Sequence, residues 1–276
     1  SYLSKFIKDE DLLSRFIDIE LLVGLLGGVS ATGLFLVFAW LSAPFRAALY
    51  ALVFAIGVLV GMEIPLVMRV LHGRQAQFGE LVSRVLTFDY LGALAVSLVF
   101  PLLLAPRLGL SRTGFLFGIL NAAIALWTAY VFRSEVQRAA SKAFRAAAVL
   151  GLLSAGFFFS DRLTHWAEKG LFGDEIVYAQ TTPYQRLVVT RWKDDLRLYI
   201  NGNLQFSSRD EHRYHEALVH PALESLPWAR TALVLGGGDG LAVREILKHK
   251  NIERVTLVEL AKKNAKRRNP EYTFEK

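Results

Sequence analysis

Five stretches without a charged residue constrain this chain more than any other feature: 21–45, 47–62 continuing past Glu63 to 68, 90–106, 113–132 and 146–160. A helix needs about 20 mostly apolar residues to cross a bilayer. Four of the runs qualify once their flanks are counted, and the fifth crosses only by borrowing neighbours. Five such helices in succession inside a soluble protein would leave almost no polar outer face. The expectation is therefore about five membrane spans in 1–160.

Charge returns at residue 161 and stays dense to the end, which divides the chain into an apolar half and a polar half. The formal charge of +7 does not imply nucleic acid, because lysine and arginine at the ends of spans ordinarily meet anionic lipid headgroups. Lys262, Lys263, Lys266, Arg267, Arg268 and Lys276 add to it at the end of the chain. With no cysteine, disulfides and cysteine-based metal or nucleophile sites are excluded. The opening 18 residues carry seven charges and no apolar core of their own, unlike a cleaved signal peptide. An opening without Met suggests further residues upstream. Ten basic residues fall in the opening segment and in the loops 69–84 and 133–145. That bias puts the polar half outside, which conflicts with the needs of a metabolite site, so the orientation stays open.

Two carboxylates interrupt the apolar half. Glu63 lies in VLVGMEIPLVMRV and Asp89 in VLTFDYLGALAV, and an ionised carboxylate in hydrocarbon is expensive. Either Glu63 pairs with a basic group or with backbone opened by Pro65, and Asp89 lies near the interface beside Arg84, or the two belong to an amine-binding or transport site. Gly24, Gly27, Gly28 and Gly33 suit close helix packing.

In the polar half, 161–174 reads as a connector, an amphipathic helix with His165 and Trp166 at an interface. The period then changes to two. EIVYAQTTPYQRLVVTRW gives two strands broken at TTP, and DDLRLYINGNLQFSS gives a second pair around Asn201-Gly202, a dipeptide suited to a tight hairpin. A small antiparallel sheet is expected over 175–208. RDEHRYHEALVHPAL then starts a helix that Asp210 can cap. Glu211, His212 and Glu216 suit a solvated surface, while Tyr214 and His215 could face a polar cleft. The HExxH spacing of a zinc helix is absent, so no metal site is expected.

TALVLGGGDG reads as a buried strand ending in glycines, with Gly236, Gly238 and Gly240 at GxGxG spacing rather than GxGxxG. Such a turn lets backbone approach a ligand at a helix N-terminus. Asp239 inside the turn would repel phosphate and better meet an ammonium or a hydroxyl donor. Glu259 ends the next strand, VTLVEL, where an acidic side chain suits ribose hydroxyls. The pair points to a nucleoside with a cationic centre or an amine partner.

QTTPYQ, NGNLQFSSRDEHRYHEALVHP, LVLGGGDGLAVREILKH and VTLVEL together resemble spermidine synthase, a polyamine aminopropyltransferase, in its membrane-anchored bacterial form. The apolar segments IELLVGLLGG, VSRVLTFDYLGAL and FPLLLAPRLGLSRT look like that subfamily's multispan region. The resemblance implies a multispan α-helical membrane domain, a small antiparallel β domain and the start of a Rossmann-like α/β domain over 209–260. It implies transfer of an aminopropyl group from decarboxylated S-adenosylmethionine, a co-substrate rather than a cofactor, to putrescine or a similar amine. It assigns Gln185, Gly236, Gly238, Gly240 and Glu259 to the nucleoside, His215 and Asp239 to the polyamine, and Tyr214 to orienting the attacking amine. A bilayer and a second copy of the chain are the other expected partners, with a bacterial cell membrane as the location.

The sequence departs from the family after Leu260. The basic stretch 261–276 does not match it, and no later strand or aspartate-bearing loop with the proton acceptor is expected, so the chain alone is not expected to complete the reaction. Two other functions remain open: a polyamine sensor or transporter with a non-catalytic synthase-like module, and an S-adenosylmethionine-dependent methyltransferase.

Overall fold

The computed structural model describes residues 6–41, 43–72, 78–182, 185–258 and 271–275. They fall into two units, Ser1–Leu171 and Phe172–Lys276.

The first unit is helical. After a 3-10 turn at Asp9–Asp11 come α1 (Leu12–Trp40), α2 (Phe45–His72), α3 (Phe78–Val99), a π-helical segment Phe100–Leu104, α4 (Ala105–Val131) and α5 (Ala139–Phe172). Four described helical stretches are long and apolar enough to cross a membrane, with Gly79–Val131 counted as one. Gly109 interrupts that long stretch with φ 75° and ψ 171°. The break lies between the third and fourth apolar runs, so each of the five runs has its own helical segment. Pro101, which has no N–H to donate, sits where the helix widens into π geometry.

Helix α1 packs on α4 through small residues. A Cβ added at Gly24 would stand 3.0 Å from the Gly118 carbonyl, and one at Gly28 would meet Leu153 at 2.8 Å and Gly118 Cα at 3.3 Å. Only glycine permits that approach. Gly27 and Gly33 have open space at the Cβ position, so packing does not require glycine at either. Around this contact lies a core of Ile17, Leu21, Phe115, Ala122, Ala125 and Leu153. A second core joins α1 to α2 through Ile19, Val23 and Leu66. Ion pairs tie the helix ends: Arg69 to Asp9 at 2.5 Å, Lys142 to Asp18 at 2.5 Å and Arg112 to Asp161 at 2.6 Å.

The segment after 161 is not a separate connector helix. It continues α5 to Phe172, because no glycine or proline capable of ending the helix occurs between Gly156 and Gly170, and the left-handed Gly173 (φ 68°) follows. Trp166 stacks on Trp40 with ring centroids 5.3 Å apart.

The second unit begins with an antiparallel meander, β1 (Glu175–Thr181), β2 (Arg186–Trp192), β3 (Asp195–Ile200) and β4 (Asn203–Ser207), in that spatial order. Asn201 (φ 52°) and Gly202 (φ 82°) form the β3–β4 turn, the left-handed pair that a two-residue hairpin needs. Asn201 also accepts a bond from the Arg186 N–H through Oδ1 at 2.9 Å. The buried Asp195 carboxylate accepts bonds from Ser207 at 2.7 Å, Ser208 at 3.1 Å and Arg197 at 2.8 Å. Those bonds, the one from Ser207 foremost, hold its carboxyl below the usual aspartate range.

Helix α6 (Glu211–Glu224) follows, then β5 (Thr231–Leu235), α7 (Leu241–Ile246), β6 (Arg254–Val258) and β7 (Glu271–Glu275). β5 pairs with β6 in parallel and β6 with β7 antiparallel. The expectation that no strand follows residue 260 is therefore corrected. EYTFE alternates with period two and carries β-favouring Tyr, Thr and Phe, a signal that the preceding run of basic residues hides. Val219, Ala242, Val243, Ile246, Ile252, Val255 and Leu257 form the core. The alternate residues of β5 face away from it: Leu233 is 63% exposed and Leu235 77%.

Candidate functional site

The glycine turn grows out of the parallel pairing. The Gly236 N–H extends the β5–β6 ladder by donating to the Val258 carbonyl at 2.8 Å. Gly236, Gly237 and Gly240 then take φ of 81°, 74° and 77°, the left-handed region in which a Cβ is strained. The backbone demand therefore falls on 236, 237 and 240 rather than on the 236, 238, 240 spacing. An added Cβ at Gly236 or Gly240 would meet open space, so conformation, not crowding within the protein, selects glycine there. Asp239 is exposed, and its Oδ1 accepts from the Leu241 N–H at 2.9 Å. That Asx-type bond starts α7 and leaves the second carboxylate oxygen with capacity for a ligand donor.

Helix α6 supplies the other half. Asp210 stands at its N-cap position, but its side chain makes no capping bond. His215 is 5% exposed. Its Nδ1 lies 2.8 Å from the Glu211 carbonyl oxygen and 3.0 Å from Glu211 Oε2. Both are acceptors, so Nδ1 carries the proton and Nε2 of the neutral ring is left as an acceptor. Tyr214 packs edge-on against that ring at 5.1 Å and is 64% exposed.

Glu211 does more than solvate a surface, the role its place in the helix suggested. Its two oxygens lie 2.8 and 3.0 Å from Arg244 Nη2 on α7. Arg244 Nε donates in turn to Glu245 Oε1 at 2.8 Å. The fully buried Glu245 also accepts from Lys248, and its Oε2 lies 3.2 Å from His220 Nε2. His220 Nδ1 is 2.8 Å from His249 Nε2. Hydrogen bonds, first from Lys248 and then from Arg244, hold the Glu245 carboxyl below the usual glutamate range against the opposing effect of burial. One network thus runs from His215 through Glu211 and Arg244 to His249 and locks α6 onto α7.

Glu216, His220 and Glu245 bring ligand-type atoms within 4.8 Å of one another. The 216/220 spacing was visible on the helix, but the third member was not. Arg244 and Lys248 already neutralise Glu245, which favours a hydrogen-bonded brace over an ion site.

The structure gathers Tyr214 and His215 on α6, and Gly236, Gly238, Asp239 and Gly240 ahead of α7, with Glu211–Arg244 joining the two helices. Gln185 lies apart from them, directly before β2 of the antiparallel sheet. There its N–H donates to the Thr182 hydroxyl at 3.0 Å and its carbonyl accepts from the Thr182 N–H at 2.8 Å, closing the β1–β2 turn. Glu259 lies outside the described residues.

Residues 211–265 match the spermine/spermidine synthase domain, a match that runs into the segment set apart as unlike the family. The chain is 70% identical over 264 residues to polyamine aminopropyltransferase 2 of Ralstonia nicotianae, covering 94% of this chain and 52% of that protein. It is 53% identical over 260 residues to the polyamine aminopropyltransferase of Leptospira interrogans, covering 94% and 52%. A crystal structure of spermidine synthase in complex with the transition state analogue AdoDATO is 31% identical over 32% of this chain and 30% of that one, at a TM-score of 0.31. The chain spans about half the length of the curated relatives it matches, and over that half it is similar to polyamine aminopropyltransferases, with the match to the spermine/spermidine synthase domain falling within it.

Proposed function

We propose that this chain is part of a membrane-anchored enzyme that transfers an aminopropyl group from decarboxylated S-adenosylmethionine to putrescine or a similar amine, giving spermidine and methylthioadenosine. The observation that carries this reading is 70% identity to a polyamine aminopropyltransferase across 94% of the chain. The geometry is consistent with it. In the reaction the neutral amine nitrogen attacks the methylene next to the sulfonium. The N–C bond forms, the C–S bond breaks with its electron pair passing to sulfur, and the new ammonium gives up a proton. Catalysis of this kind rests mainly on orientation and on a placed proton acceptor.

Within that scheme the left-handed glycines open the backbone to the nucleoside, and Glu259 and Gln185 bind it. Asp239 meets the charged end of an amine. His215 Nε2, left as an acceptor by the bond at Nδ1, takes an amine N–H, and Tyr214 orients the attacking group. None of these residues is assigned as the proton acceptor. The test is an assay of a chimera in which the Ralstonia nicotianae relative supplies the remaining half. Spermidine and methylthioadenosine should form in equal amounts, and a methylated product with S-adenosylmethionine would favour the methyltransferase reading instead.

The helical unit is the anchor in this proposal, lying in a bacterial cell membrane. Its support is the exposure of large apolar side chains along the helices, with Phe54 and Phe88 each 74% exposed, Leu102 and Trp127 each 70% and Phe158 76%. Surfaces of that kind need a partner or a bilayer. Because the chain has no cysteine, single cysteines placed at helix ends would report by labelling from each side of a vesicle whether, and in which direction, the helices cross.

A further inference from the structure

The end of α4 and the start of α5 line a groove of about 650 Å³, within the range of about 300–1,000 Å³ that small-molecule sites occupy. Its shape follows from the sequence. Trp127 and Tyr130, three apart on α4, project on one side and are 70% and 69% exposed. Beside them α5 opens with alanines, and Ala139, Ala140 and Ala143 leave a trough that larger side chains would fill. The groove follows α4 as far as Arg133, in the turn after the helix, which is the one charged residue among those that line it.

The positive charge at this end has no counter-charge. Arg133 and Arg138, the latter directly before Ala139, are exposed, and neither side chain makes an ion pair or hydrogen bond among the described residues. Glu135 of the same turn has its own contact, and Asp18 of α1 is held by Lys142 of α5 at 2.5 Å. The remaining residues of this unit, 1–5, 42 and 73–77, include no aspartate or glutamate. The two carboxylates that interrupt the apolar half do not line the groove either. Asp89 is exposed on α3, and Glu63 has its Oε1 buried on α2 with no hydrogen-bond partner among the described residues.

These features select the occupant. Apolar walls, an aromatic rim and an arginine at the helix end suit a lipid whose acyl chain lies along the helices and whose phosphate meets the guanidinium. A small soluble anion would gain nothing from the walls, and Arg133 would repel a polyamine. We propose that the α4–α5 groove binds one anionic phospholipid, with its acyl chain against Trp127 and the alanine face of α5 and its phosphate on Arg133. The inference rests on the reading of this unit as a membrane anchor.

Fluorescence quenching of the full chain in phospholipid vesicles tests it. Dibrominated phosphatidylglycerol in phosphatidylcholine is compared with dibrominated phosphatidylcholine in phosphatidylglycerol, and the Trp127 share is the difference between wild type and Trp127→Phe. The brominated phosphatidylglycerol should quench that share at a fraction about fivefold lower, the scale of one arginine near an anionic lipid. Arg133→Gln should erase the preference and Arg133→Lys should keep it. Ala140→Leu, at an exposed position, should fill the trough and erase it too. Equal quenching by both lipids in the wild type, or a preference that survives both Arg133→Gln and Ala140→Leu, would overturn the proposal and leave the anchor reading standing. Quenching of Trp127 that appears only when the protein is diluted in lipid would overturn it as well, since a second copy would then fill the groove. A chain that never enters the vesicles, with no tryptophan quenched by either lipid, would overturn both.

Discussion

Arg244 Nη2 lies 2.8 Å from Glu211 Oε1 and 3.0 Å from Oε2, so the helix that follows the glycine turn grips the residue that sets the tautomer of His215. The nucleoside side and the amine side of the proposed site are thereby held in one register. Glu211→Gln or Arg244→Met should raise KM for the amine about tenfold in the active chimera, the scale of one charge-assisted bond, while KM for the nucleoside changes less. Equal effects on both substrates would indicate a general loss of fold.

Removing His215 acts on the amine directly. His215→Ala should weaken amine use about tenfold to a hundredfold, and Tyr214→Phe should affect kcat more than KM if the hydroxyl orients the attacking group. Steady-state kinetics with putrescine varied at saturating nucleoside separates the two.

The glycine turn gives a conformational prediction. Gly236→Ala and Gly240→Ala force a side chain into left-handed backbone and should each cost about 1–2 kcal/mol. Gly238 is not among the positive-φ residues, so Gly238→Ala should lack that strain. Denaturant unfolding of the three variants, followed in the polar unit, checks the order.

In the helical unit, a side chain at Gly118 would run into the Gly24 carbonyl and stand 2.9 Å from Gly28 Cα. Gly118→Val should therefore separate α1 from α4 and lower stability by about 1–3 kcal/mol. Gly33→Val, at a position with open space, should be mild. Thermal melting in detergent compares them.

Acid should unlock the polar unit. Asp195 and Glu245 both have carboxyls held below their ordinary values of 3.8 and 4.5 by hydrogen bonds. Their ionised forms stabilise the fold, so the contribution is complete above those ordinary values and is lost as pH falls through the lower values of the folded state. Asp195→Asn and Glu245→Gln should each melt earlier at neutral pH and show a flatter decline on acidification. Melting curves across the acid range check the slope.

The sequence revealed what local pattern controls. The uncharged runs marked five helical segments, Asn201-Gly202 marked a hairpin, and the strand–glycine–helix order of 231–246 marked the left-handed turn between β5 and α7. What it hid depends on distant partners. Glu211 and Arg244 are 33 residues apart, and nothing local distinguishes a solvated Glu211 from one paired to another helix. Glu20 directly precedes the first uncharged run, and only the packing of α1 in the folded unit buries it. Residues 161–172, expected as a helical connector, are helical but continue α5 without a break: charge returns at residue 161, yet the helix runs on to Phe172, with the left-handed Gly173 after it.

The most direct measurement is product analysis of the chimera supplied with putrescine and decarboxylated S-adenosylmethionine. Equal amounts of spermidine and methylthioadenosine, with both sharply reduced by Asp239→Asn and by Glu259→Gln, are the predicted result. A folded chimera that forms neither product, or that forms both undiminished in the two variants, would contradict the account.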